Sequence, residues 1–229
     1  MLTELLKERT NKVLEVPVRH MARRGISPNV LTITGLILNA FVGLVLAVGL
    51  EFWGGFLVIF AGLFDMLDGA LARLAGRTTR FGALLDSVVD RFSEAAILVG
   101  LVWFYLASQR IAEILLLFAV LLGSLMVSYV RARAEGLGID CEVGLVARPE
   151  RVLLLALGLI FSQMVIVLAL LAILTHITVI QRVWHVWRRT GRQDLQKPGD
   201  TNTGGSDHPS DPPPAVPGQK GNPPLRRMV

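Results

Sequence analysis

The sequence predicts an all-α integral membrane protein with six transmembrane helices and an amphipathic helix at its N-terminus. Of its 229 residues, 52% are hydrophobic and 18% are charged, whereas charged residues make up about 25% of an average soluble domain. Several apolar runs approach the ~20 residues that a helix needs to cross a bilayer. This composition excludes a disordered chain and argues against a soluble enzyme.

The amphipathic helix is predicted over residues 1–25, where we expect it to lie on the membrane surface. This stretch carries six Lys/Arg, and apolar residues recur between them at roughly helical spacing. Pro17 is expected to kink the helix. The first span follows, because Ser27 is a typical N-cap residue and Pro28 suits a first helical turn.

The apolar runs place the first four spans at about 28–50, from Trp53 through the region of Asp65, at 81–106 and at 111–135. The run 152–180 is long for one crossing and short for two, and Ser162-Gln163 is its only polar break. With six spans, all of the 23 Lys/Arg except Arg110 fall on one side, as the positive-inside rule requires of the cytoplasmic side. We therefore expect a six-span domain over residues 26–190 in the cell membrane, with both termini cytoplasmic.

Residues 191–229 are predicted to form a disordered cytoplasmic tail to which we assign no chemistry. Eight of the eleven prolines lie in residues 190–229, with almost no large apolar residue, and such a composition does not build a packed core. The net charge of +5 is explained by basic residues beside the spans, which set topology and attract anionic lipid. We therefore expect a lipid bilayer and no nucleic acid as partner.

Four aspartates within or beside apolar spans carry the chemistry: Asp65, Asp68, Asp86 and Asp90. An Asp at the bilayer centre costs about 3 kcal/mol even on lenient scales, so this group requires water, a cation or both. The first two are three residues apart and the last two are four apart, so each pair shares one helix face. The short connection 74–80 makes the two helices antiparallel neighbours, and the pairs can face each other. Carboxylates without His or Cys partners suit Mg²⁺ or Mn²⁺ rather than Zn²⁺.

Fixed spacings extend these aspartates into a motif. Gly69 leaves space beside Asp68, and Gly82 does so one turn before Asp86. Arg73 lies one turn beyond Gly69, where it can meet a phosphate oxygen. With Ala72, the positions read Asp-x-x-Asp-Gly-x-x-Ala-Arg, eight residues, Gly-x-x-x-Asp-x-x-x-Asp. In this motif, in the six-span plan and in the N-terminal helix, residues 1–190 resemble the CDP-alcohol phosphotransferase family.

The resemblance implies an enzyme that displaces CMP from CDP-diacylglycerol with the hydroxyl group of an acceptor alcohol. Carried over by position, two divalent ions, Mg²⁺ or Mn²⁺, would be bound by Asp65, Asp68, Asp86 and Asp90. Asp90 would also be the catalytic general base. The nucleotide site would be lined by Gly69, Ala72, Arg73 and Gly82. Asn29 and Thr32, at the start of the first span, are expected to contact the cytidine, although residues beside an N-cap are more often structural. The family also implies a homodimer with its active site on the cytoplasmic side.

Four arginines on the cytoplasmic side predict an acceptor that carries a phosphate group: Arg131, Arg148, Arg151 and Arg182. Arg148 and Arg151 are three residues apart at the start of a helix, which suits a phosphate, whereas free serine or inositol would not need so many cations. The plainer interpretation is that these arginines only set topology and that Arg131 pairs with Glu135.

Within the family, the segments 64–70, 79–83, 128–135 and 148–151 resemble phosphatidylinositol phosphate synthases, which join CDP-diacylglycerol to inositol 1-phosphate. Arg131 departs from the lysine expected in that subgroup, and keeps the charge but not its point-like geometry. Phosphatidylglycerophosphate synthase, which uses glycerol 3-phosphate, is the main rival. Its members more often have Pro after the third Asp and Lys after the fourth, where this chain has Ser87 and Arg91.

Two further alternatives stay open from the sequence. One is an inositol phosphate transferase that acts on archaeal-type ether lipids. The other is a cation transporter, because intramembrane carboxylates can line an ion path. A transporter explains the aspartate pairs, but it does not explain Gly69, Ala72 and Arg73 at fixed spacing.

Overall fold

The computed structural model describes residues 18–74, 76 and 78–196, with side chains as far as Thr190. Within these residues the backbone forms helices, turns and irregular connections. Most of the amphipathic helix expected over residues 1–25 and most of the tail expected over 191–229 lie outside the described residues. The described part of the first is a helical segment at 18–23.

Six helices follow this segment: α1 (Pro28–Ala47), α2 (Glu51–Leu74), α3 (Arg80–Ala107), α4 (Ile111–Gly136), α5 (Arg148–Ile160) and α6 (Met164–Gln196). Local chemistry fixes several of their ends. The Thr79 hydroxyl accepts the Gly82 N–H at 2.9 Å and caps α3, and Glu150 accepts the Ala147 N–H at 3.0 Å at the start of α5. The break between α5 and α6 falls at Ser162-Gln163, as predicted, and Ser162 has a φ of 53°, which no helix continues through.

The helices are those of a membrane protein, and four of the six have the length and composition of a span: α1, α2, α4 and α6 as far as Thr190. The other two differ for physical reasons. The first half of α3 carries the charged groups of the motif, and α5 has 13 residues, fewer than the ~20 that a crossing needs. Among the described residues, six helices therefore follow the segment 18–23 and four of them are candidate spans, whereas the prediction was six spans. α6 also continues to Gln196, beyond the expected domain boundary at residue 190.

The six helices pack as a closed ring. Around it, α1 is followed by α3, α4, α6, α5 and α2, and α2 packs against α1 again. Successive helices alternate in direction, so α1, α3 and α5 begin at the end of the ring where α2, α4 and α6 finish. α1 and α3 approach so closely that a Cβ on Gly100 would collide with the backbone of Gly43. Small residues at such crossings are typical of membrane helix pairs.

Apolar side chains from all six helices fill the ring away from the starts of α1, α3 and α5. They form one buried cluster that includes Val42, Val58, Leu101, Leu117, Leu159 and Leu168. A smaller cluster at the other end joins the segment 18–23 to α1 and α2 through Val18, Leu31, Leu67 and Leu71. Many large apolar side chains on the outside of the helices are exposed, as expected of surfaces that face lipid.

The connection between α4 and α5, residues 137–147, turns into the ring instead of lying over its rim. Ile139, Cys141 and Val146 in this connection are buried. As a result α5 begins deep in the molecule: Arg148 reaches the backbone carbonyl of Asp90, about ten residues, or ~15 Å, beyond the start of α3. The depth of this start explains why α5 is short, and it places the N-terminus of α5 inside the ring.

Candidate active site

The four aspartates predicted from the sequence converge inside the ring, near the start of α5. Asp65 and Asp68 come from α2, and Asp86 and Asp90 come from α3. Every pair among the four interacts electrostatically. Asp68 is buried and the other three are half-buried, so the group is partly shielded from solvent.

Asp68 is fixed by hydrogen bonds from two donors. The Thr32 hydroxyl of α1 donates to Oδ2 at 2.7 Å, and the Gly69 N–H donates to Oδ1 at 2.6 Å. Thr32 was expected to contact the cytidine; here its hydroxyl group is engaged with the aspartate itself. The carboxylate of Asp68 is therefore satisfied by neutral donors and held in one orientation.

Asp65 is contacted by Asn39, which lies about two turns beyond Thr32 along α1. The Asn39 amide lies 3.3 Å from each Asp65 oxygen and also donates to the Gly35 carbonyl at 2.9 Å. A Cβ on Gly35 would lie 2.6 Å from Asp65 Oδ1. Because no side chain fits there, glycine at position 35 is what lets α1 approach the carboxylate.

Arg148 joins the two aspartate pairs. Its Nη2 lies 3.0 Å from Asp65 Oδ2, and its Nη1 contacts Asp90 Oδ1. One guanidinium group thus bridges a carboxylate of α2 and a carboxylate of α3. Its third nitrogen, Nε, is buried and has no hydrogen-bond partner among the described residues.

Arg151, one turn further along α5, has a carboxylate of its own. Its Nε and Nη2 each lie 3.1 Å from an oxygen of Glu94, in the bidentate geometry that suits this pair. The Ser124 hydroxyl of α4 donates to the same carboxylate at 2.6 Å. α3 and α5 are not neighbours around the ring, so the two arginines reach across its interior.

The residues predicted to line the nucleotide site lie at the same end of the ring. Arg73 is exposed and Ala72 is half-buried on α2. A Cβ on Gly69 would come within 3.4 Å of the Arg73 guanidinium, and a Cβ on Gly82 within 3.3 Å of Asn29 Oδ1. The two motif glycines therefore keep space open beside these two polar side chains.

The other two predicted acceptor arginines have different surroundings. Arg182 is buried, and it donates to the carbonyls of Val127 at 2.6 Å and Val143 at 2.9 Å. It thus ties the sunken connection to α4 and α6. Arg131 is 47% exposed and pairs with Glu135 at 2.8 Å, which is the plain helix pair that the sequence left open. Only Arg148 and Arg151 among the four contact the carboxylates of the interior.

Sequence reasoning missed four residues of this site: Gly35, Asn39, Glu94 and Ser124. Two of them gave a signal. Asn39 is an amide in the middle of an apolar run of α1, and Glu94 continues the four-residue spacing of Asp86 and Asp90 along α3. Gly35 and Ser124 gave none, because small and weakly polar residues are common in membrane helices.

The donor set has the chemistry of a divalent metal site, although its present geometry favours Arg148. Hard carboxylate oxygens from two helices face each other, which suits Mg²⁺ or Mn²⁺. Within the part of the chain that the structure describes, no three acidic, His or Cys side chains are close enough to hold an ion together. The guanidinium of Arg148 lies between Asp65 and Asp90, where it supplies the positive charge that the carboxylates require.

Comparison with known proteins agrees with this site. The family model of CDP-alcohol phosphatidyltransferases matches residues 25–187. The chain belongs to the CDP-alcohol phosphatidyltransferase family. It is therefore a transferase, and the predicted family is confirmed.

Relatives within this family are named for inositol phosphate chemistry. The phosphatidylinositol phosphate synthase of Mycobacteroides abscessus is 35% identical over 200 residues, which cover 83% of this chain and 91% of the relative. The archaetidylinositol phosphate synthase of Pyrococcus horikoshii is 35% identical over 185 residues, covering 80% and 96%.

Solved structures of the Mycobacterium tuberculosis phosphatidylinositol phosphate synthase share this fold. The structure with CDP-DAG bound has a TM-score of 0.71 and 34% identity, and the match covers 77% of this chain and 94% of that one. The complex with manganese and citrate has a TM-score of 0.71 and 35% identity, covering 76% and 88%.

Proposed function

We propose that this protein synthesises a phospholipid by transferring the phosphatidyl group of CDP-diacylglycerol to the hydroxyl group of inositol 1-phosphate, with release of CMP. The observation that carries the proposal is the meeting of four carboxylates with two arginines at the buried start of α5. A diphosphate donor calls for carboxylate-bound metal, and a phosphorylated acceptor calls for guanidinium groups. This site has both at the start of α5.

Asp65, Asp68 and Asp86 would hold the divalent metal, Mg²⁺ or Mn²⁺, and Asp90 would share a second ion. When bound, such ions neutralise the diphosphate and the charge that develops on the departing CMP. Thr32 and the Gly69 N–H orient Asp68, and Asn39 orients Asp65. The manganese in the related mycobacterial structure supports this assignment.

Asp90 would act as the general base. Its carboxylate takes the proton from the acceptor hydroxyl while that oxygen forms a bond to the phosphatidyl phosphorus. The bond between this phosphorus and the CMP oxygen breaks, and CMP leaves with the bonding electrons. Positioned proton transfer of this kind contributes typically 10²–10⁴-fold to a rate.

Donor and acceptor would bind on opposite sides of the aspartates. The CDP group would lie against Asn29, Thr32, Gly69, Ala72, Arg73 and Gly82, where the two glycines leave space. The acceptor phosphate would lie against Arg148 and Arg151. Arg182 would support it indirectly by holding the sunken connection in place, and Arg131 would contribute charge from the exposed end of α4.

An acceptor panel tests this proposal. Purified protein with CDP-diacylglycerol and Mg²⁺ or Mn²⁺ is assayed for CMP release with inositol 1-phosphate, glycerol 3-phosphate, free inositol or serine. We expect turnover with inositol 1-phosphate to exceed that with the other three. A preference for glycerol 3-phosphate would identify the rival phosphatidylglycerophosphate synthase. The assay is repeated with a CDP-linked ether lipid as the donor. Faster turnover with this donor would favour the archaeal-type alternative, which the Pyrococcus horikoshii relative suggests.

The same preparation distinguishes the transferase from the cation transporter that the aspartate pairs alone would allow. In sealed vesicles, a cation transporter would carry Mn²⁺ across the membrane without releasing CMP. Metal-dependent CMP release without Mn²⁺ flux favours the transferase.

For the whole chain we propose six crossings of the cell membrane, with both termini and the active site on the cytoplasmic side, and assembly as a homodimer. The placement of 22 of the 23 Lys/Arg on one side supports this topology, and the family resemblance supports the dimer. α3 would cross with its charged half inside the ring, and α5 would complete its crossing together with the sunken connection 137–147.

A further inference from the structure

We infer that Arg148 and the divalent metal take turns on the same carboxylates, so that metal binding releases Arg148 toward the acceptor phosphate. This inference rests on the proposed function, because it takes Asp65 and Asp90 as metal ligands. It makes Arg148 a link between the donor half and the acceptor half of the site.

The guanidinium of Arg148 occupies the position between carboxylates that a bound metal ion would need. Its guanidinium bridges Asp65 and Asp90, one oxygen from each of the two facing helices. These oxygens belong to the proposed metal set. A guanidinium and a dication cannot both occupy the space between them, because the two positive charges repel and the oxygens are shared.

Asp68 does not depend on Arg148. It is satisfied by Thr32 and by the Gly69 N–H, which are neutral donors that a bound cation leaves in place. One ligand of the set is therefore already oriented while Arg148 occupies Asp65 and Asp90. A metal ion has a fixed point of attachment from which it can compete with the arginine.

Arg148 is also less firmly held than its neighbour Arg151. Arg151 is 5% exposed and makes a bidentate pair with Glu94, which Ser124 braces. The side chain of Arg148 is 27% exposed, and its buried Nε has no partner among the described residues. The structure thus contains one anchored arginine and, one turn away, one whose bonds are all to proposed metal ligands.

The position of Arg148 in α5 favours its release. It is the first residue of the helix, where the helix dipole disfavours a cation and favours an anion. The aspartates offset this cost while they hold the guanidinium. Once a metal neutralises them, a phosphate group beside the helix start satisfies both the dipole and Arg148.

The test measures metal binding without turnover. Mn²⁺ is titrated into substrate-free protein, and free Mn²⁺ is followed by electron paramagnetic resonance. We expect Arg148→Gln to bind Mn²⁺ about tenfold more tightly than wild type, because the competing charge-assisted hydrogen bonds are gone. Arg188→Gln is the matched control, since Arg188 lies on the exposed end of α6 over Trp184; its Mn²⁺ affinity should equal that of wild type.

Equal or weaker Mn²⁺ binding by Arg148→Gln, relative to wild type, overturns the exchange. If that variant does not fold, Arg148→Lys takes its place. A lysine ammonium lacks the planar fork with which the guanidinium bonds both aspartates, so Mn²⁺ should again bind more tightly than in wild type, and an unchanged affinity refutes the inference. Asp68→Asn separates the two proposals. If Asp68→Asn binds Mn²⁺ as well as wild type does, or if wild type does not bind Mn²⁺, the proposed metal site is wrong. If Asp68→Asn binds Mn²⁺ more weakly than wild type, the metal site stands, and the Arg148 variants then test only the exchange between Arg148 and the metal.

Discussion

Glu94 fixes the direction of Arg151 inside the ring. Both of its oxygens accept from the guanidinium, and Ser124 fixes the carboxylate in turn. Breaking a buried pair of this kind is costly, because the remaining charge is left without a partner. The function we assign to Glu94 is therefore to position an acceptor-binding arginine and not to touch substrate.

Glu94→Gln should raise the KM for the acceptor about tenfold, the value of one charge-assisted hydrogen bond. The KM for CDP-diacylglycerol should change little, because the proposed site of the donor diphosphate is at the aspartates. Steady-state CMP release with each substrate varied in turn measures both constants. Glu113→Gln is the control, since Glu113 is also buried and paired with an arginine, Arg110, at the opposite end of the ring. An unchanged acceptor KM in Glu94→Gln would contradict the positioning role.

Asp90→Asn should abolish turnover while leaving Mn²⁺-dependent binding of CDP-diacylglycerol in place. The amide oxygen can still face a metal, but it cannot take the proton of the acceptor hydroxyl, so a loss of 10²–10⁴-fold is expected. CMP release and equilibrium binding of labelled CDP-diacylglycerol measure the two effects. The exposed Asp140, in the connection 137–147, provides the control as Asp140→Asn. Wild-type turnover in Asp90→Asn would remove Asp90 from the chemistry.

Helices and their contacts were predictable from the sequence to different degrees. The helix break at Ser162-Gln163 followed from polarity, and the structure contains it. The short connection 74–80 predicted α2 and α3 as antiparallel neighbours, and this was wrong, because α1 packs between them in the ring. The start of α5 at Arg148 was also predicted, since Arg148 and Arg151 were placed at the start of a helix, but the depth of that start was not. Its depth depends on the path of the connection 137–147, which no local pattern encodes.

The side-chain contacts across the ring were the least predictable part. Spacing places Asp86, Asp90 and Glu94 on one face of α3, but it does not say which helix lies opposite that face. The sequence therefore indicated that Arg148 and Arg151 bind an anion without indicating that carboxylates of α3 already hold them. Only the ring order brings α5 across from α3.

The contact between α1 and α3 gives a prediction for these elements. Gly100→Ala places a methyl group against the Gly43 backbone, and overpacking of this kind costs typically 1–3 kcal/mol. We expect a lower Tm in detergent and a loss of activity that follows the loss of folded protein. Gly136→Ala is the matched control, because a Cβ there meets nothing within 4 Å. Equal stability of the two variants would mean that the helices separate easily.

Across the whole molecule, polarity is divided between the two halves of the ring. One half holds the aliphatic cluster that includes Val42 and Leu168, and the other holds the charged groups around Arg148. The apolar half stabilises the ring through buried aliphatic contacts and offers no ligands to water or ions. The charged half contains the groups proposed to bind ligands. There, α5 and α3 do not pack against each other, and ion pairs between their side chains connect them across the ring.

The surplus of negative charge inside the ring acts at a distance as well as on contact. Among the described residues, five carboxylates (Asp65, Asp68, Asp86, Asp90 and Glu94) surround the two guanidinium groups of Arg148 and Arg151, which pair with Asp65, Asp90 and Glu94. Apolar walls focus the resulting field along the opening. We therefore expect the field to attract cations and to repel phosphorylated molecules, so that metal binds before both substrates.

Ionic strength should therefore control the rate of metal capture. Raising it from 0.01 M to 0.15 M shortens the Debye length from about 30 Å to about 8 Å, less than the ~15 Å between the start of α3 and Asp90. Stopped-flow measurement should show Mn²⁺ association slowing over this range, and a rate independent of salt would contradict long-range attraction. If association does slow with salt, the carboxylates act as an electrostatic filter. They select approaching ions and molecules by the sign of their charge before any contact selects them by shape.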